Sequence, residues 1–212
     1  MSARRMSLLA NYVGQLRLYS YADLLLLLVA AGASSMAILQ CSALWFAFLI
    51  YLDWRHRDRG RARWHWSVWL GLLLLGASLG SPLGVALFVV LAFLYTAKKR
   101  YPAVAAVSWL LNGALKGALL VIAGASGSLI LVATVVTAIR NAGGDFRDVE
   151  KDRADGVASI PIRLGLREDV NWLYPAMLIS TSVLWAVLGE LPVTLLLSAV
   201  AVEVLTYRLT PR

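Results

Sequence analysis

Apolar residues run along this chain in long blocks that breaks of two kinds interrupt in turn. The blocks fall at about residues 8–33, 36–54, 64–79, 83–97, 103–123, 128–142, 170–188 and 192–209. A segment crossing lipid must satisfy its own backbone hydrogen bonds and present apolar side chains, so each block is predicted as a membrane helix. The breaks near residues 34, 80 and 126 are small and uncharged, and the one near 190 carries only Glu190. Those at 55–63, 98–100 and 140–167 are basic, as are the N-terminal region and the end at Arg208 and Arg212. Basic loops stay on the cytoplasmic side, which predicts an even number of spans with both termini cytoplasmic. The expected fold is therefore all-α: a multi-pass transmembrane bundle of about eight helices around a central cavity, with residues 1–212 as a single domain.

Composition agrees with that setting. Of 212 residues 60% are hydrophobic, and the mean hydropathy is +0.72. The net charge of +8 is explained by loop topology and calls for no nucleic acid, although anionic lipid headgroups or phosphorylated substrates would feel the same field. Arg4 and Arg5 precede an apolar region that Asn11, Gln15 and Arg17 break up, so no removable signal peptide is expected. A multi-pass protein of a prokaryotic cell membrane is the expected localisation. Cys41 stands alone inside an apolar run and suggests a small buried hydrophobe.

One polar stretch stands out, residues 140–165, R-N-A-G-G-D-F-R-D-V-E-K-D-R-A-D-G-V-A-S-I-P-I-R-L-G. Asp145, Asp148 and Asp152 sit at i, i+3 and i+7, offsets that share one face of a helix, and Asn141 joins them four residues earlier. Carboxylates crowded on one face repel one another unless a cation lies between them. Hard oxygen ligands of this kind suit Mg²⁺, which takes one or two carboxylates and completes its shell with water and phosphate oxygens. The alternative is a solvated, charge-mixed loop in which Arg147 and Lys151 offset the acids. Lys116 lies mid-way through the fifth block with Asn112 one turn before it on the same face. A charge at that depth usually faces a cavity or a partner.

The residues from Asp145 to Gly165 resemble the second aspartate-rich motif of the UbiA superfamily of membrane prenyltransferases. That motif reads D-x-x-D-x-x-x-D, then G and P-x-x-x-G, and Asp145, Asp148, Asp152, Gly156, Pro161 and Gly165 occupy those places. Leu16-Arg17 resembles the family's early L-R. Tyr95 to Arg100, Y-T-A-K-K-R, resembles its tyrosine-and-basic loop, and Asn112 follows at the expected distance. The first motif, N-D-x-x-D-x-x-x-D, is degenerate: Asp53 matches, while Leu52, His56 and Gly60 replace the other three positions and Asp58 is a shifted substitute. Members are usually longer and have nine spans.

The resemblance implies a Mg²⁺-dependent enzyme that binds an isoprenyl diphosphate and transfers the prenyl group to a hydrophobic acceptor, aromatic (quinone-precursor type) or glycerol-phosphate, within membrane lipid. Asp145, Asp148 and Asp53 would be catalytic, and Asp145, Asp148, Asp152, Asp53 and Asp58 would hold metal. Arg17, Tyr95, Lys98, Lys99, Arg100, Asn112, Lys116 and Asn141 would bind substrate. Two other outcomes share the fold: a terpene cyclase acting on the diphosphate alone, or a non-catalytic bundle binding lipid or a partner. A transporter would carry its acids mid-span rather than in a loop.

Overall fold

A computed structural model describes residues 11–56 and 63–209, with Lys99 described by its backbone alone. Among the described residues there are helices and turns and no strand. The apolar helices are α1 (Leu18–Ala30), α2 (Ser35–His56), α3 (Trp66–Ser78), α4 (Pro82–Thr96), α5 (Pro102–Ile122) and α6 (Gly127–Arg147), followed later by α9 (Leu173–Leu188) and α10 (Val193–Tyr207). Between α6 and α9 lie the short α7 (Val149–Ala154) and α8 (Ile160–Arg163), and a 3₁₀ turn, Ala97–Lys99, follows α4. Each apolar block of the sequence after the first thus yields one apolar helix.

Helices α2, α5 and α6, of 22, 21 and 21 residues, are long and apolar enough to cross a membrane. The other apolar helices have 13 to 16 residues, fewer than the ~20 a perpendicular crossing needs. Large apolar side chains such as Leu83, Leu131, Val187 and Leu205 are turned outward. Water would penalise so many exposed leucines and valines, whereas lipid accommodates them. This is an integral membrane protein.

The chain divides into two compact units, residues 1–82 with 185–212, and residues 83–184. In the first, α2 packs along α3 and α1 along α10. Gly76 on α3 admits Leu44 of α2, and Gln40 donates to the Gly76 carbonyl at 2.9 Å. Two acids lie inside this unit. Asp23 accepts a hydrogen bond from the Trp185 indole at 2.9 Å, and Glu203 is buried on α10. The first apolar block is not one helix here. Residues 11–15 are helical, and the chain then breaks at Arg17, whose φ of 45° and ψ of 54° are left-handed.

In the second unit α5 and α6 run antiparallel in close contact. A Cβ at Gly113 would stand 2.3 Å from the Thr134 carbonyl oxygen, and one at Gly117 2.4 Å from the Thr134 hydroxyl. Small residues that let backbones approach are what helix pairing in lipid uses. Pro102, at the first turn of α5, needs no donor there, and the Ser126 hydroxyl caps α6 by accepting from Leu129 N–H.

Candidate active site

The aspartate stretch begins inside α6, which extends past the expected end near residue 142 to Arg147. Gly143 and Gly144 come just before Asp145. A Cβ at Gly143 would stand 2.5 Å from the Met177 sulfur and one at Gly144 3.2 Å from the Tyr174 ring, so the glycine pair lets α9 sit close against the last turns of α6.

The helix then stops. An uninterrupted α-helix would join Glu150 N–H to the Phe146 carbonyl, and neither group makes that bond. The Phe146 carbonyl accepts from Val170 N–H at 2.9 Å, and Glu150 N–H donates to the Asp169 carboxylate at 2.9 Å. Residues 169 and 170 therefore wedge the helix open at Asp148, whose φ of −107° and ψ of 24° are not helical. The expectation of three aspartates on one face of a single helix is corrected here: Asp145 lies in α6, Asp148 at the break and Asp152 in α7.

Gly156 and Gly165 close the two short helices in the same way. At Gly156 (φ 69°), Val157 N–H reaches the Asp152 carbonyl and Gly156 N–H the Arg153 carbonyl. At Gly165 (φ 83°), Leu166 N–H reaches Pro161 and Gly165 N–H reaches Ile162. Both are Schellman caps, whose left-handed residue favours glycine. Arg163 fastens this loop by donating to the Pro102 carbonyl at 3.0 Å.

The carboxylates converge electrostatically on Lys98, in the 3₁₀ turn after α4. Its ammonium stands 5.0 Å from the centre of the Tyr95 ring and interacts with Asp145, Asp152 and Asp148. Burial opposes the charge on Lys98, but Tyr95 and the three acids outweigh it and raise its pKa. Asp152 is pushed up by burial, against the pull of Lys98. Asp148 feels the same burial, yet is held below the usual carboxylate range by the hydrogen bonds and charge of Arg147. Arg147 engages both Asp148 oxygens, and its guanidinium lies 4.8 Å from the centre of the Tyr174 ring.

Asp145 is 5% exposed, and its Oδ2 is buried without a hydrogen-bond partner. A desolvated carboxylate oxygen left in this state is costly, and a cation would remove that cost. Among the described residues no three His, Cys, Asp or Glu side chains are grouped to hold a metal between them. Mg²⁺ does not require three: one or two carboxylates with water and phosphate oxygens suffice. The donor set of Asp145 and Asp152 beside Lys98 fits such an ion.

The other expected site residues lie partly beside this group and partly elsewhere. Asn141 is half-buried one turn before Asp145, Tyr95 is buried, and Arg100 is exposed at the end of the 3₁₀ turn. Asn112 is half-buried and Lys116 fully buried on α5. At 1.5 Å per residue they lie about 15 and 21 Å along the helix from Pro102. In the first unit, Arg17 pairs with Asp53 at 3.3 Å. Asp58 lies outside the described residues, and nothing is described of the Lys99 side chain. Sequence reasoning missed Arg140, buried within α6 and donating to the Thr181 hydroxyl at 2.7 Å, and the buried acids Asp23 and Glu203. Their signal was available, a charge inside an apolar run.

No family model and no curated protein matches the sequence. Two solved structures match its fold, a UbiA homolog from Archaeoglobus fulgidus bound to Cd²⁺ and a UbiA homolog from the same organism bound to GPP and Mg²⁺. Both have a TM-score of 0.53, with 17% and 16% identity, over 93% of this chain and 86% of the solved one. The chain has the UbiA fold. At such identity the likeness concerns architecture. Within that UbiA architecture, the motif glycines and proline shape the loop that carries the acids, and Arg147 restrains the middle aspartate.

Proposed function

We propose that the protein is a membrane prenyltransferase. It takes a prenyl diphosphate bound with Mg²⁺ and moves the isoprenyl group to an aromatic, quinone-precursor-type or glycerol-phosphate lipid acceptor. The observation that carries this reading is Asp145, a buried carboxylate with an unbonded oxygen, grouped with Asp152 and the Lys98 cation. A UbiA homolog of the same fold binds GPP and Mg²⁺.

Asp145 and Asp152 would hold the ion, and Asp148 would join them only after letting go of Arg147. When bound, Mg²⁺ supplies charge neutralisation for the diphosphate as its bond to the allylic carbon breaks. Lys98 adds a fixed positive charge on the same side, already oriented over Tyr95 and needing no reorganisation. Arg147, once released from Asp148, becomes a second cation for phosphate oxygens, a geometry guanidinium groups match well. The outward apolar faces of the helices seat the protein in the bilayer, where a prenyl chain also partitions.

The test is equilibrium binding of tritiated geranylgeranyl diphosphate to purified protein, with and without Mg²⁺, followed by incubation with membrane extract and identification of the prenylated product. Binding should require Mg²⁺ and be lost in Asp145→Asn/Asp148→Asn while the fold is kept. Binding indifferent to Mg²⁺ and to both substitutions would overturn the reading.

A further inference from the structure

The residue type at Ser159 is not explained by the helix it begins. Serine just before a helix ordinarily accepts a hydrogen bond from a backbone N–H of the first turn. Ser159 holds that position for α8, yet its side chain caps nothing. Nor is it a solvated loop hydroxyl. The residue is 1% exposed, and its Oγ is buried with no hydrogen bond of ordinary geometry. A hydroxyl withdrawn from water in that state is destabilising, and an alanine there would carry no such penalty.

What lies beside it is Asp152. The chain leaves α7, turns back at Gly156 with Val157 N–H bonded to the Asp152 carbonyl at 2.8 Å, and packs α8 against α7. Burial pushes the Asp152 pKa up, and after Lys98 it is the Ser159 hydroxyl that draws it back most. The hydroxyl therefore stands at the carboxyl group without being locked to it. Asp152 is itself buried, in the group of acids that surrounds Lys98.

We infer that Ser159 is a positioning residue for the divalent ion: its hydroxyl closes onto one oxygen of Asp152 and leaves the other for the metal. This rests on the reading of the aspartate stretch given above, and it adds the group that stands behind one of the carboxylates. A hydroxyl suits the task because it donates to a carboxylate without bringing a charge, so it orients the ligand without repelling the cation. Lys98 acts on the same carboxylate but does repel a cation. Partners of this kind, bonded to a metal ligand and not to the metal, fix the ligand's orientation.

The experiment is a double-mutant cycle read by Mn²⁺ titration with electron paramagnetic resonance on purified full-length protein, with and without geranylgeranyl diphosphate. Ser159→Ala should weaken Mn²⁺ binding by about tenfold, the low end of what loss of a partner behind a metal ligand produces. Ser159→Thr keeps the hydroxyl and should restore most of that affinity. In an Asp152→Asn background Ser159→Ala should change the affinity by less than about twofold, because Ser159 acts through that carboxylate. Should Ser159→Ala fail to fold, Ser159→Cys, whose thiol is only a weak donor, takes its place in the cycle with the same expected loss. Unchanged Mn²⁺ affinity in Ser159→Ala, a threonine variant as weak as the alanine one, or an equal loss in both backgrounds would overturn the inference and leave the prenyltransferase reading standing. Wild-type protein that binds no Mn²⁺, with or without geranylgeranyl diphosphate, would overturn both.

Discussion

Lys98→Met should move two affinities in opposite directions. Methionine keeps much of the stem and removes the charge that Asp145, Asp148 and Asp152 share. Without that cation the acids lose their internal counter-charge, so Mg²⁺ alone should bind at least ~10-fold more tightly, since a dication and a unit charge ~10 Å apart repel by roughly 3 kcal/mol at an effective dielectric near 20 before salt screening. The diphosphate loses a charge-assisted contact of about 1.5–3 kcal/mol, or about 10- to 150-fold in Kd. Mn²⁺ titration by electron paramagnetic resonance reads the first change, and binding of tritiated geranylgeranyl diphosphate reads the second. There is a pH signature as well. Burial already raises the Asp152 pKa and Lys98 opposes the rise, so the variant's carboxyl climbs further. Its metal affinity should therefore be lost at a higher pH than the wild type's as pH falls. If metal and diphosphate affinities weaken together, Lys98 is not the counter-ion of this acid group.

Gly156→Ala should destabilise the loop by about 1–2 kcal/mol, the cost of a left-handed alanine, and should weaken Mn²⁺ binding in the same titration. Gly113→Val places a side chain where a Cβ alone would be 2.3 Å from the Thr134 carbonyl oxygen, so α5 and α6 must part. Its thermal midpoint in detergent should fall by several degrees, and a neutral result would refute the packing argument. Arg147→Met should free both Asp148 oxygens and let its pKa return toward the ordinary range, with tighter Mn²⁺ binding at neutral pH in the absence of diphosphate.

The helices were legible in the sequence because lipid leaves the chain little choice: an apolar block becomes a helix, and small or charged residues end it. The motif glycines were legible for a comparable reason, since a left-handed cap is a local demand that glycine meets best. Arg17 and Asp53 were visible only as separate residues, one at a helix start and one in a degenerate motif. Their pairing depends on a contact between α2 and the turn before α1, which no periodicity encodes. Arg140 reads from the sequence as the first residue of a basic loop, because the polar stretch starts there, whereas α6 runs on to Arg147. Its burial follows from Gly143 and Gly144, which draw α9 in and bring Thr181 within reach.

The break at Asp148 was illegible for a more instructive reason. The run F-R-D-V-E-K-D-R-A is helix-compatible throughout, and i, i+3, i+7 spacing implies one face. What interrupts it comes from residues 169 and 170, which take over the two halves of a single helical hydrogen bond. The donor half is a carboxylate accepting from Glu150 N–H, in effect a cap supplied from a distant part of the chain. Asp169→Ala removes the acceptor and leaves Val170 N–H as the remaining half of the wedge. Losing an aspartate cap costs about 0.5–2 kcal/mol, so the break should weaken and α7 should tend to continue α6. Asp152 would then turn relative to Asp145, and Arg147 would no longer face Asp148 across a bend. The expected result is a small loss in thermal midpoint with a disproportionate loss in Mg²⁺-dependent diphosphate binding, about tenfold, restored in part by Asp169→Asn, whose carbonyl can still accept. Equal behaviour of the alanine and asparagine variants, or diphosphate binding unchanged in both, would show that the bend does not position the acids.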